Sequence, residues 1–560
     1  VAYRKSEAPP ELLETVARVE ARADECWRGL ELRHLASDVA RWAVLARGVQ
    51  EVERQQALHG VNTPYFDAAL IRLGRLGATA LKWATLHAQT FSMPLRWTGE
   101  LSRATDEAFA AAKEYSTFEV CFQGFHKEHY SLEPVAADRV RFSVPGTERD
   151  RQVSAYQKGY RPTAGTNAAQ RSAPAQQNAR AKDAFEAALR RCRPVGALGF
   201  ACDDLSDVWR ALLPEYRERI GGIARRPDTI SLGPYRLDEF NAFYAAFIAV
   251  AAANDFLCYQ WGRISGTYPI ESAVVVRSLP EWRALLSHLS GVPEDKCAAM
   301  LSDLTFSERS IDLRVHPLVP LDHIRLALAP PMPLSSRHDE NILRVCSQRR
   351  PDVYSITSLE KQAEMLSDLC RVADGRFGAQ GPVKLPTPIP DIDFLAADEE
   401  SSTLLIAELK WVRKPLRPAE IGRSSAEVLK GIAQLAEIRK FLEDFPEHLR
   451  TLGNLPRRVD AYERVYYIVA ARDHWCWTEA SCAAMVTFEA LAEALRSQGS
   501  LRGTLEALLR YEWLPMEGRD FYVQYDRASV NGVAIESPVF YSTVGRPALP
   551  RRSTETGMNG

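Results

Sequence analysis

Residues Pro390–Lys410 read PDIDFLAADEESSTLLIAELK. Two short apolar runs flank a polar stretch of turn-forming residues, which predicts strands over Asp391–Ala397 and Thr403–Val412 joined by a turn at Asp398–Ser402. Strand side chains alternate between faces, so Asp391 and Asp393 share one face, and Glu408 and Lys410 share one face. With the turn centred on Glu400–Ser401, Asp393 comes nearly opposite Glu408. Directly opposed residues have Cβ atoms about 4.5–5.5 Å apart. Two carboxylates that close repel unless something positive lies between them. Mg²⁺ suits such a pair, because it takes oxygen ligands and keeps several waters. A bound divalent ion acidifies its water and offsets charge on a phosphoryl group. Lys410 is then placed to hold the attacking oxygen or the phosphate.

Outward from the hairpin, the pattern is helical on both sides. Ser358–Ala373 predicts an amphipathic helix with Leu359, Ala363, Leu366, Cys370 and Ala373 on one face. A long helix is expected over Ser424–Phe445 and a strand over Arg464–Ala471. The order helix, hairpin, helix, strand makes an α/β unit around a mixed sheet.

Pro390-Asp391-Ile392-Asp393 followed by Glu408-Leu409-Lys410 resembles the PD-(D/E)xK, or restriction-endonuclease-like, nuclease superfamily. The resemblance covers roughly residues 353–475. It implies that Asp393 and Glu408 are metal ligands, with Asp391 as the alternate aspartate, and that Lys410 is the catalytic lysine. It further implies a metal-binding glutamate on the first helix, Glu360 with Glu364 as alternate, and a catalytic glutamine, Gln434, on the helix after the lysine strand. Mg²⁺ or Mn²⁺ is the implied cofactor, DNA the implied substrate and 5′-phosphate ends the implied products. Prokaryotic restriction or phage (antiviral) defence is the setting expected by analogy. Two other functions stay open: a catalytically silent nucleic-acid-binding or scaffold protein that keeps the fold, and an RNA-directed nuclease. The bland reading of the triplet is a charged sheet edge that discourages aggregation.

Between Glu408 and Glu420 every charged residue is basic: Lys410, Arg413, Lys414 and Arg417, with Arg423 and Lys430 following. These predict a positive rim for a phosphate backbone. Net charge is −2 over 560 residues, so nucleic acid must be met by local charge rather than by the whole surface.

The expected class is α/β (α+β): a mostly helical N-terminal region, then a restriction-endonuclease-like mixed-sheet core flanked by helices. Residues 1–145 predict a helical domain, with FEVCF (Phe118–Phe122) and RVRFSV (Arg139–Val144) as strand-like pieces. Residues 146–182, poor in large apolar side chains, read as a flexible linker. Residues 183–345 read as a second, mainly helical domain, 346–547 as the nuclease domain and 548–560 as a disordered tail. The ten cysteines form no CxxC pair, which fits a reducing, cytoplasmic setting. The longest apolar run, Ala242–Ala253, is too short to span a bilayer and reads as a core helix, so no membrane partner is expected. No GxxxxGK[ST] occurs, and His126-Lys-Glu-His129 lacks zinc-site spacing. A regulatory protein or a second copy of the chain is the other partner class expected.

Overall fold

Local signals start and stop the helices. Pro10 at the first position and Glu11 in the first turn open α1 (Pro10–Asp24), whose Leu12, Val16, Val19 and Ala23 form one buried stripe. A computed structural model describes residues 2–543 apart from 61–62, 86–94, 137, 145, 158–178, 203, 222–229, 374–375, 416–417, 449, 451–454, 456, 473, 477–482 and 498. After α1 come α2 (Ser37–His59), α3 (Pro64–Thr85), α4 (Gly99–His126), β1 (Ser131–Ala136), β2 (Arg139–Ser143) and α5 (Glu148–Gln157). The middle of the chain carries α6 (Ala179–Arg191), β3 (Arg193–Val195), β4 (Gly199–Ala201), α7 (Ser206–Gly221), α8 (Leu237–Ser265), β5 (Val275–Ser278), α9 (Leu279–Ser290), α10 (Glu294–Asp303), β6 (Leu318–Pro320), β7 (Arg325–Leu328), α11 (Pro331–Leu334) and α12 (His338–Arg349). Ser278 and Glu281 make a reciprocal capping box at α9, and Gly291, with φ +78°, ends it.

The FEVCF stretch is not a strand. It lies in α4, where Phe118, Cys121, Phe122 and Phe125 are buried at helical spacing. The N-terminal and middle regions are not separate domains either. Trp42, Leu76 and Leu101 pack in one core with Ile270, Phe306 and Met332. Helix α8 is long and apolar enough to cross a bilayer, but its Phe240, Phe243 and Phe247 are buried against Trp282 and Leu286 in the protein interior.

The C-terminal core contains α13 (Pro351–Ala373), β8 (Gly378–Gln380), β9 (Phe394–Asp398), β10 (Thr403–Trp411), α14 (Pro418–Asp444), β11 (Arg464–Arg472), β12 (Ala484–Thr487), α15 (Phe488–Arg496) and α16 (Leu501–Leu509). Its sheet runs β12-β11-β10-β9-β8, with β10, β11 and β12 parallel and β9 and β8 antiparallel. The expected helix, hairpin, helix, strand order is present. On one face, Leu404 and Ile406 of β10 pack with Val428, Leu435 and Ile438 of α14. On the other, Leu405, Ala407 and Leu409 pack with Met365 and Leu369 of α13 and Leu491 of α15. Each of the Leu, Ile, Val and Met side chains among these contributes about 1.5–3 kcal/mol of burial. The apolar face of α13 differs from expectation. Its buried line is Thr357, Met365, Leu369 and Ala373, while Leu359 is 66% exposed. Of the expected face, Leu366, Cys370 and Ala373 do pack on this core, and only its N-terminal part, Leu359 and Ala363, is exposed.

The last described strands, β13 (Phe521–Val530) and β14 (Val533–Ser542), lie outside this sheet. They complete a second sheet, β1-β2-β14-β13, with β14 parallel to β2. The expected 346–547 domain is thus corrected: 521–542 belong structurally with the N-terminal body. Of the expected linker 146–182, α5 and the start of α6 are helical, and 158–178 lie outside the described residues, as does the tail 548–560.

Candidate active site

The turn sets the register, and the register sets the site. Asp398 Oδ1 accepts the backbone N–H groups of Glu400 (3.1 Å) and Ser401 (3.3 Å), and Oδ2 accepts the Ser401 hydroxyl (2.6 Å). The β9–β10 ladder then pairs Thr403 with Asp398 and ends at Ala407 with Phe394. One step further along the same register, Asp393 faces Glu408. Asp393 Oδ2 accepts the N–H of Leu409 at 2.8 Å, which anchors it beside β10. Asp391 is instead held by Lys384 (2.5 Å), so the aspartate that meets Glu408 is Asp393.

Glu408 and Lys410 point to the α14 side of the sheet. Lys410 Nζ donates to Glu408 Oε1 at 2.7 Å and to Gln434 Oε1 at 2.6 Å. Glu408 is only 3% exposed, and its Oε2 has no hydrogen-bond donor. The neighbouring carboxyl of Asp393 is itself an acceptor, so the two can bond only if one holds a proton. Burial, followed by the charge of Asp393, pushes Glu408 up from 4.5 to about 7, with Lys410 opposing. Burial also raises Asp393, against the Leu409 N–H and Lys410, which lower it. The pair therefore carries a stored demand for one positive charge.

The close approach of α14 depends on Gly431. A Cβ there would lie 3.0 Å from Val469 Cγ1, 3.1 Å from Lys410 Cε and 3.2 Å from Glu408 Cγ. Gly431 stands three residues before Gln434, on the same helix face. The sequence pattern does not single it out, beyond its being a glycine inside a helical run. Gln362 of α13 is a second unforeseen contact: its amide donates to the carbonyl of Leu409 at 3.0 Å.

Asp393 and Glu408 fit a divalent cation as a pair of oxygen donors with one buried oxygen unsatisfied, as Mg²⁺ or Mn²⁺ with bound waters requires. The glutamates expected to complete them do not. Among the described residues no group of three or more His, Cys, Asp or Glu side chains is arranged to hold a metal. Glu360 and Glu364 sit on α13, which packs on the sheet face opposite Lys410 and Gln434. Glu360 Oε2 is buried without a partner, and Glu364 is paired with Lys361 at 3.1 Å.

The expected basic rim is also partly corrected. Arg413 is half-buried, donating to Ser347 Oγ and to the carbonyl of Arg344, with Glu420 at 3.7 Å. The carbonyl of Lys414 accepts from Arg344 at 2.5 Å. The Arg413 guanidinium and the Lys414 carbonyl thus tie the β10 end to α12. Arg417 lies outside the described residues. Arg423 and Lys430 are exposed on α14, Lys430 beside Glu427 at 2.7 Å.

No family model, curated protein or solved structure matches this chain.

Proposed function

We propose that this protein is a divalent-metal-dependent nuclease that hydrolyses phosphodiester bonds in DNA through Asp393, Glu408, Lys410 and Gln434. The observation that carries this is the convergence of Lys410 Nζ on Glu408 (2.7 Å) and Gln434 (2.6 Å), next to a buried carboxylate oxygen that lacks a donor. A cation held by Asp393 and Glu408 would acidify a water and offset charge on the phosphoryl group. Lys410 uses two of its three N–H bonds on Glu408 and Gln434, which leaves one for an incoming oxygen. Its ammonium, fixed by these partners, meets negative charge growing at the phosphorus without having to reorganise. Gln434 orients that ammonium, and Gly431 lets the helix carrying Gln434 come close enough to do so. A cytoplasmic role in restriction or phage defence goes with this reading.

The test is cleavage of supercoiled plasmid, linear duplex and single-stranded RNA with Mg²⁺ or Mn²⁺, against EDTA. DNA cleavage that requires metal is expected, with Lys410→Ala losing roughly a hundredfold or more while its near-UV circular dichroism is unchanged. Equal cleavage by Lys410→Ala overturns the site. Nucleic-acid binding without cleavage under every metal would leave a catalytically silent binding protein, and faster cutting of RNA would move the substrate.

A further inference from the structure

Away from the carboxylate pair, the four-stranded sheet that joins the two ends of the chain carries an unusual outer face. Its inner face is apolar: Leu132, Val140, Phe142 and Ile535 pack with α1 and α4 side chains such as Val16 and Phe122. By strand alternation, Arg139, Arg141 and Glu536 point the other way. The parallel register sets Glu536 beside Arg141 on β2, and the β13–β14 hairpin sets it beside Arg527. Glu536 is 3% exposed because guanidiniums cover it. It accepts from Arg139, from Arg141 Nε at 2.6 Å and from Arg527 Nε at 3.0 Å. One carboxylate cannot balance three guanidiniums. Even with Glu133, 3.8 Å from Arg141, one positive charge remains in excess.

An aromatic ring stands in the same cluster. Tyr525 is 50% exposed, and the Arg141 guanidinium lies 5.9 Å from its ring centre. Glu133, Arg141, Ser143, Tyr525, Arg527 and Glu536 line an open pocket of about 430 Å³. An exposed ring within a positive concavity matches the alternating chemistry of a nucleic-acid strand, whose bases stack and whose phosphates are anionic. A duplex keeps its bases stacked on each other, so the ring favours single strands.

We propose that this sheet face binds a single-stranded segment of DNA, stacking a base on Tyr525 and holding flanking phosphates with Arg141 and Arg527. The site rests on the nuclease reading only for the choice of DNA over RNA. It lies on the N-terminal and C-terminal strands, not on the catalytic hairpin, so it acts as a separate substrate grip.

The experiment is fluorescence anisotropy of a labelled oligo(dT) probe with the full chain in EDTA, so that no cutting occurs. Tyr525→Ala is expected to weaken binding roughly 5- to 150-fold, while Tyr525→Trp keeps it. Arg527→Gln is expected to flatten the dependence of log affinity on log salt by about 0.7. Circular dichroism melts of both exposed-site variants should match the parent. Binding unchanged in both variants overturns the proposal, as does equal affinity for duplex, or tighter binding of oligo(rU). Lys410→Ala separates the two sites: it should abolish cleavage and leave this affinity intact. If the parent binds through Tyr525 but never cuts, the nuclease reading fails and the grip stands. If it cuts while both variants bind and cut normally, the grip fails alone.

Discussion

Replacing Glu408 by glutamine should make the metal-free protein more stable at pH 8 and abolish cleavage at every pH. In the folded chain, burial and the Asp393 carboxylate lift Glu408 from 4.5 to about 7. The folded state therefore grips a proton that the unfolded chain releases. Stability from this group is fully present below pH 4.5 and is lost as pH rises through about 7. The gap of about 2.5 pH units, at about 1.4 kcal/mol each, amounts to about 3 kcal/mol above pH 7. Solvent screening takes little from this, because Glu408 is 3% exposed. Glutamine keeps the shape, keeps an oxygen for Lys410 and offers an amide to Asp393. Thermal melts in EDTA are the assay. At pH 5 the variant and parent should melt together; at pH 8 the variant should melt a few degrees higher. Mg²⁺ added at pH 8 should raise the parent and leave the variant unmoved. A variant less stable than the parent at pH 8 in EDTA, or one whose offset is the same at pH 5 and pH 8, would refute the reasoning.

Two further substitutions probe the same geometry. Gly431→Ala should lower cleavage at least about tenfold and destabilise by about 1–3 kcal/mol, since the new methyl meets Val469, Lys410 and Glu408 at 3.0–3.2 Å; kinetics beside a melt would show both effects together. Asp393→Asn should remove metal-dependent cutting, whereas Asp391→Asn should leave it within about twofold, because Asp391 is engaged with Lys384.

The hairpin was readable because turn chemistry and alternation are local. Asp398 sits at the start of a polar turn, and its side chain binds the backbone two and three residues on, so composition and register agree. The turn register favoured Asp393 over Asp391, but both share a strand face, and the contacts that separate them, the Leu409 N–H on Asp393 and Lys384 on Asp391, are not written in the local pattern. Charge density also misleads: Arg413 looks like part of a basic rim, yet its partners come from α12, more than sixty residues away in sequence. The same holds for Glu360, where the rotation of α13 on the sheet, invisible in an amphipathic pattern, decides what a glutamate can reach. In FEVCF, five residues fit a strand and a helix alike; adding Phe125 brings out the helical period. Strand pairing over almost the whole chain, as between β2 and β14, leaves no mark in any window of sequence.

That last pairing has a consequence for biosynthesis. The sheet begun by residues 131–143 is finished only by residues 521–542, so the five-stranded sheet with its flanking helices is spliced between two halves of one scaffold. While the ribosome is still making the middle of the chain, Arg139 and Arg141 wait without Glu536, and the β2 edge stays open. A chain that stops short of residue 521 leaves β2 without its parallel partner, so truncation at the far end is expected to weaken the sheet near the beginning.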